Sequence, residues 1–105
     1  MARFSIYENS GDHSKTTPFL LDVQTDLLSG LDTRVVIPLR KASLYKNIKL
    51  PNDLMPSFTI KGTELTLETP KMAAVPTKIL KKEVGSLKGE QHLVMTAIDR
   101  LFHGF

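Results

Sequence analysis

The sequence contains no cysteine at all. Disulfide bonds, thiolate metal sites and a cysteine nucleophile are therefore excluded, and the absence fits a reducing compartment. The first residues, MARFSIYENSGDHSK, lack an apolar core of signal-peptide length. The longest apolar runs, such as residues 35–37, are far shorter than a membrane span. We therefore expect a cytoplasmic protein.

Known catalytic motifs are also missing. The chain has no phosphate-binding P-loop, no dinucleotide-binding glycine pattern, no HExxH and no GxSxG. The histidines, His13, His92 and His103, are too far apart for typical zinc-ligand spacing, and we expect the first two at the surface. Asp22 and Asp26 are candidates for paired acid/base carboxylates. A strand end followed by an aspartate turn explains them as well, and we favour that interpretation.

The residues that are present make an ordinary globular composition. Of 105 residues, 41% are apolar and 24% charged, and the formal net charge is +3. This predicts a single domain, residues 1–105, with a core of modest size. The excess positive charge forms no basic arm, so it does not argue for nucleic-acid binding. Arg34 lies in the most apolar run, so its charge must either reach solvent or be paired.

Alternation of apolar and polar residues predicts mainly β structure. We expect strands near residues 3–7, 19–23, 33–38, 57–61 and 63–69, and a short one at 77–80. Lys61-Gly62 is interpreted as the turn of a hairpin. Pro38 cannot donate a ladder hydrogen bond, so we expect it at a strand end or in an edge strand. Together with one helix, these strands predict a small antiparallel sheet or a partly open barrel.

Residues 90–105, EQHLVMTAIDRLFHGF, carry a helical pattern. Their apolar residues recur at helical spacing: Val94, Ala97, Ile98, Leu101, Phe102 and Phe105. We therefore expect a helix near residues 88–102, with its core-facing stripe filled as far as Phe102. Gly104 can adopt the left-handed conformation that ends a helix, which directs Phe105 away from the helix axis. Phe105 then either packs on the domain or contacts another molecule.

Four segments, in this order, resemble the CcdB family of toxins. They are LDVQTDLL at 21–28, TRVVIPL at 33–39, MAAVP at 72–76 and LFHGF at 101–105. The DVQ-x-D, VIPL and M-A-x-VP elements are specific as a set. The resemblance covers essentially the whole chain, and it is weakest in the loops at 8–17 and 40–56.

The resemblance implies a homodimer with an SH3-like barrel core and a long C-terminal helix. CcdB-like proteins are not enzymes and need no cofactor or metal. They bind the A subunit of DNA gyrase and trap its covalent complex with cleaved DNA. A labile CcdA-like antitoxin neutralises them through a disordered segment, and the toxin reaches DNA only indirectly, through the antitoxin complex that represses transcription. An acidic segment of that kind has candidate contacts here, unless these lysines are simply solvated: Lys78, Lys81, Lys82 and Lys88.

In the family, a tryptophan, a glycine and a terminal isoleucine carry much of the gyrase-poisoning activity. The matching positions here are His103, Gly104 and Phe105, called the tail below. The glycine matches and Phe105 keeps an apolar end, but histidine offers a weaker π surface than tryptophan. Two alternatives therefore stay open. One is a CcdB-like protein that has lost toxicity and serves only as an antitoxin partner. The other is a MazF-type endoribonuclease, which shares the barrel fold, although its sequence pattern is not seen here.

Overall fold

A computed structural model describes residues 2–28 and 30–104. These residues form the strands β1 (Ser5–Glu8), β2 (Phe19–Asp22), β3 (Thr33–Lys41), β4 (Ser57–Ile60), β5 (Thr63–Leu67), β6 (Ala73–Pro76) and β7 (Glu83–Ser86), and the helix α1 (Gln91–His103). The strands form one antiparallel sheet in the order β4-β5-β3-β2-β1-β7, with β6 paired to the first half of β3. The sheet curls into a half-barrel, which confirms the predicted mainly β fold with one closing helix.

Both faces of strand β3 are covered by other parts of the chain. On one face, Ile37 and Leu39 belong to the main core, together with Val94 and Ala97 of α1. On the other face, a smaller cluster joins Val36 to residues from three other segments: Tyr7, Leu20 and Leu80. A strand covered on both sides has a continuous apolar run instead of a clean alternation. The segment TRVVIPL is that run.

Pro38 lies inside β3, so the prediction of a strand end or an edge strand is wrong. On one side it pairs with Leu20 of β2. On the other side, β3 pairs with β6 up to Val36 and with β5 from Leu39 onward. Pro38 occupies the gap where the partner changes, and its carbonyl accepts a hydrogen bond from the N–H of Glu68 at 2.9 Å. The missing backbone donor is tolerated because neither β5 nor β6 is paired with β3 at that position.

Two strands were missed by the sequence analysis. The predicted strand at 77–80 is a 3₁₀ turn, Thr77–Ile79, and β6 precedes it. Among the described residues, β6 pairs only with β3 and no residue of it is fully buried. Strand β7 contains Gly85 and pairs only with β1 within the same residues. Short, partly exposed edge strands lack the alternation that marks a half-buried strand.

Helix α1 begins at Gln91, after a 3₁₀ turn at Lys88–Glu90, so it starts later than predicted. It ends at His103, and Gly104 closes it in the left-handed conformation with φ +78°, as expected. Across the two described ranges, no helix has the length and apolar content needed to cross a membrane.

The β4–β5 hairpin turns at Lys61 and Gly62, as predicted. Their φ angles are +51° and +80°. Two consecutive positive values are typical of the type I′ turn, whose twist matches that of the flanking strands. Glycine adopts this conformation without steric cost, whereas an L side chain is strained there.

Gly62→Ala is therefore expected to lower the free energy of unfolding by about 1 kcal/mol, even though the space around Gly62 is open. The matched control is Gly89→Ala, because Gly89 also has open space but no positive φ. The control should stay within about 0.5 kcal/mol of the parent. Thermal unfolding measures both, with about 4–8 °C per kcal/mol for a domain of this size. Equal melting temperatures for the two variants would contradict the turn assignment.

Candidate functional site

Asp22 and Asp26 meet at the side chain of Arg34. Arg34 is 1% exposed, and its Nε and Nη2 atoms lie 2.9 Å and 2.8 Å from Oδ2 of the fully buried Asp22. Nη2 also lies 3.3 Å from Oδ1 of Asp26 and donates to the carbonyl of Gln24 at 3.1 Å. The backbone N–H of Gln24 donates to Oδ1 of Asp22 at 3.1 Å. The sequence left two possibilities for the charge of Arg34, solvent exposure or pairing, and in the structure it is paired.

Burial gives Asp22 one property of a general acid. Desolvation raises the pKa of the Asp22 carboxyl, and the hydrogen bond from Arg34 opposes this only in part. However, Asp22 has no exposed surface, and both of its carboxylate oxygens accept hydrogen bonds from the protein. A substrate cannot reach it, so this carboxylate pair is structural, in agreement with the favoured aspartate turn.

The three histidines do not form a metal site within the described residues. His13, His92 and His103 are all exposed, as expected for the first two. Over residues 2–28 and 30–104, no group of three histidine, aspartate or glutamate side chains could hold a metal ion.

Three of the segments quoted from the sequence meet around Arg34. Residues 21–28 supply its acidic partners, and residues 33–39 supply Arg34 itself. Residues 72–76 contain β6, where Val75 is the strand partner of Arg34. The most specific part of the sequence pattern therefore builds one buried ion-pair cluster.

Arg3 ties this cluster to the helix. Its backbone N–H donates to Oδ1 of Asp26 at 2.9 Å, and its Nε donates to the carbonyl of Val23 at the same distance. Its Nη2 lies 3.4 Å from the sulfur of Met95 in α1. The N-terminal segment, the end of β2 and α1 are thus joined at one corner.

The match to known proteins extends across all of these parts. The sequence model of one family, CcdB protein, matches residues 3–104 of the 105-residue chain. The chain belongs to the CcdB family. The matched range begins at Arg3, contains the ion-pair cluster and the whole sheet, and ends at Gly104 of the tail.

In this CcdB protein the end of α1 is exposed. Phe102 is 65% exposed, so the expectation that the core-facing stripe is filled as far as Phe102 is wrong. Val94 and Ala97 are fully buried, and Leu101 is half-buried. Phe102 points about 80° away from Val94 around the helix axis, at the margin of the buried face. His103 and Gly104 are exposed as well, and Phe105 lies outside the described residues.

Arg100 holds this exposed end in place. Its Nη1 donates to the carbonyl of Gly104, and its own carbonyl accepts the Gly104 N–H at 3.0 Å. Its Nε lies 3.2 Å from Oδ2 of Asp53, in the segment before β4. We call the Asp53, Arg100 and Gly104 contacts the arginine clamp. The clamp contacts the residue at which the helix is capped.

A second exposed feature was missed by the sequence analysis. Leu27, Leu28 and Leu31, between β2 and β3, are 93%, 49% and 52% exposed. We call them the leucine loop. The available signal was the presence of three leucines in a predicted turn, where no buried face requires them. Exposed apolar side chains gathered on one loop are typical of a contact surface.

The four lysines considered for antitoxin contact are all exposed. Lys82 lies 3.3 Å from the carboxylate of Glu8, so part of its charge is balanced within the chain. Their contact with an acidic segment stays a prediction.

Replacing Arg34 alone should lower the free energy of unfolding far more than replacing Arg34 and Asp22 together. Arg34→Met leaves Asp22 as a buried carboxylate without its counter-charge, and we expect a loss of about 3–5 kcal/mol in the free energy of unfolding. The double variant Arg34→Met/Asp22→Leu should lose less than Arg34→Met alone, because no charge is left uncompensated. Urea unfolding of Arg34→Met, Asp22→Leu and the double variant measures the coupling energy between the two side chains. Additive losses would show that the two side chains do not depend on each other.

Arg100→Ala tests the arginine clamp. Alanine keeps the helix propensity, so stability should change by no more than about 0.5 kcal/mol. The backbone order parameter of Gly104, measured by ¹⁵N relaxation, should fall because its carbonyl loses the guanidinium donor. Asp99→Ala is the control, since Asp99 is an exposed neighbour outside the clamp. An order parameter of Gly104 that is the same in both variants would argue against the clamp.

Proposed function

We propose that this chain is the toxin of a toxin–antitoxin pair and that it acts by binding the A subunit of DNA gyrase. The bound toxin traps the complex of gyrase with cleaved DNA, so it acts as a topoisomerase poison and not as an enzyme. The observation that carries this proposal is the family match over residues 3–104. CcdB proteins are toxins of such pairs and act on gyrase.

The geometry of the helix end supports the tail as the gyrase-binding element. Helix α1 packs on the sheet through one face and leaves Phe102 exposed next to His103 and Gly104. The left-handed Gly104 and its contact with Arg100 hold the end in one direction, which lowers the ordering cost of binding. Aromatic anchors at the centre of an interface commonly dominate its binding energy. We therefore assign gyrase binding to His103, Gly104 and Phe105, with Phe102 beside them.

A homodimer suits this role. Two copies related by a two-fold axis present their elements in pairs, and two tails near the axis would match a two-fold gyrase partner. The leucine loop is a second exposed apolar surface that an interface with another chain can cover.

A CcdA-like antitoxin is the other partner that we propose. A disordered acidic segment folds on binding, and a long contact offsets the cost of ordering it. The exposed lysines between residues 78 and 88 give that segment cationic contacts. Contact with DNA is then indirect, through the toxin–antitoxin complex.

His103 favours one alternative. It replaces the tryptophan of the family with a smaller aromatic ring, which offers less surface for stacking on a partner. A CcdB protein with weakened gyrase contact that serves only as an antitoxin partner is therefore the second candidate.

Deleting the tail should weaken gyrase binding and leave the fold intact. A chain ending at Phe102 loses only residues at an exposed end, so its stability should stay within about 0.5 kcal/mol of the full chain. Its affinity for gyrase should fall by about 2 kcal/mol or more, roughly thirtyfold, because the aromatic anchor is gone. His103→Trp should strengthen binding by restoring stacking area. The measurements are the melting temperature and gyrase-dependent DNA cleavage.

The control for the added tryptophan is His92→Trp, at an exposed position near the start of the same helix. A truncated chain that still traps cleaved DNA would refute the tail assignment. A full chain that binds an antitoxin but traps nothing would support the non-toxic alternative. Cleavage of RNA by the full chain, without trapping, would support the MazF-type alternative.

A further inference from the structure

A cavity of about 330 Å³ lies away from the tail, between the loop that joins β1 to β2 and the 3₁₀ turn Thr69–Lys71. Neither His103 nor Gly104 lines it. Its volume is at the lower end of the range for small-molecule sites, about 300–1,000 Å³. Nothing in the proposed gyrase or antitoxin contacts uses it.

Hydrogen bonds hold the walls of this cavity in place. Its floor is the cross-strand pair of Leu20 and Pro38. On the loop side, the N–H of Asn9 donates to the carbonyl of Pro18, and Nδ2 of Asn9 donates to the carbonyl of Thr17, both at 2.8 Å. The N–H of Lys41 donates to the carbonyl of Thr16 at 2.9 Å, which ties the loop to β3. The cavity is therefore preformed, with an apolar floor and a polar wall.

The opposite wall carries three charged side chains, Arg40, Glu68 and Lys71. Glu68 is 2% exposed, its Oε2 accepts a hydrogen bond from the hydroxyl of Tyr45, and Nζ of Lys71 lies 3.4 Å from the same oxygen. The guanidinium of Arg40 lies over the ring of Tyr45, 5.5 Å from its centre. Two of these side chains are cations and one is a carboxylate, so the charged groups that line the cavity sum to one positive charge.

Arg40 also has an unused donor. Its Nε is shielded from solvent and has no hydrogen-bond partner within the described part of the chain. A buried donor without a partner is uncommon in native proteins and calls for an explanation. A ligand that reorients the guanidinium and accepts hydrogen bonds from it would supply the missing acceptor.

We propose that this cavity binds a small organic monoanion, with a carboxylate or phosphodiester group on a compact apolar body. The anionic group pairs with Arg40 and Lys71, because guanidinium and ammonium donors make their strongest hydrogen bonds to oxyanions. The apolar body rests on Leu20 and Pro38. The buried Glu68 repels a second negative group, so the ligand carries a single charge.

The test is a ¹H–¹⁵N NMR titration of the full chain with isobutyrate and, separately, with dimethyl phosphate, at constant ionic strength. We expect saturable shifts of the Thr16, Thr17 and Lys41 amides with at least one anion, and the two titrations distinguish the anionic groups. Lys71→Met and Arg40→Met should each weaken binding about tenfold, the effect of losing one charge-assisted contact. Lys71 is 61% exposed, so this variant keeps the test valid if Arg40→Met fails to fold.

The matched control is Lys49→Met, an exposed lysine that does not line the cavity and should leave binding unchanged. The proposal is overturned if neither anion gives saturable shifts at about 10 mM, tenfold above a millimolar dissociation constant. It is also overturned if Lys71→Met binds as tightly as Lys49→Met.

Discussion

The buried ion pair of Arg34 and Asp22 is the interaction on which the rest of the fold depends. Removing two charges from water costs more than their attraction returns unless the surrounding groups complete their hydrogen bonds. Gln24 and Asp26 do so from the turn after β2, and Arg3 binds Asp26 and contacts Met95 of α1. Nη1 of Arg34 alone among its nitrogens is buried without a partner in the described residues. The pair therefore contributes mainly by specifying one arrangement of β2, β3, the N-terminus and the helix.

One face of β3 links this ion pair to the proposed anion cavity. Side chains alternate along a strand, so Arg34, Val36, Pro38 and Arg40 share a face. Arg34 is neutralised by Asp22 at one end, whereas Arg40 at the other end lines an open cavity and keeps an unsatisfied donor. Between them, Pro38 occupies the point where β3 changes partner. The same strand thus carries a charge used for structure and a charge available to a ligand.

The features that could be predicted from the sequence are those with local causes. The turn at Lys61 and Gly62, the left-handed Gly104 and the presence of a C-terminal helix depend on neighbouring residues, and the structure has all three. Ion pairing was one of the two outcomes expected for Arg34. The identity of its partner depends on the register between β2 and β3, which no local pattern reveals. Strand β6 is stabilised by pairing with β3 and not by its own alternation, so it was missed. Phe102 matched the helical spacing, yet it lies at the margin of the buried face and is exposed. The proposed gyrase-binding role of the tail came from the family resemblance, because exposure does not identify a partner.

In the proposed function, the exposed end of α1 binds the partner, whereas residues elsewhere in the chain hold the fold together. The buried cluster acts through β2, β3 and the first half of α1, whereas the arginine clamp joins only Asp53, Arg100 and Gly104 at the other end of the helix. His103 is exposed and lies outside the core, so a substitution there changes the surface at the helix end and not the packing that holds the sheet. The clamp contacts Gly104, the residue next to that side chain. In the proposed function, the ring at position 103 sets how strongly it can stack on a partner. In the proposed function, a few exposed residues determine the affinity for a partner, on a fold that a different set of buried residues holds together.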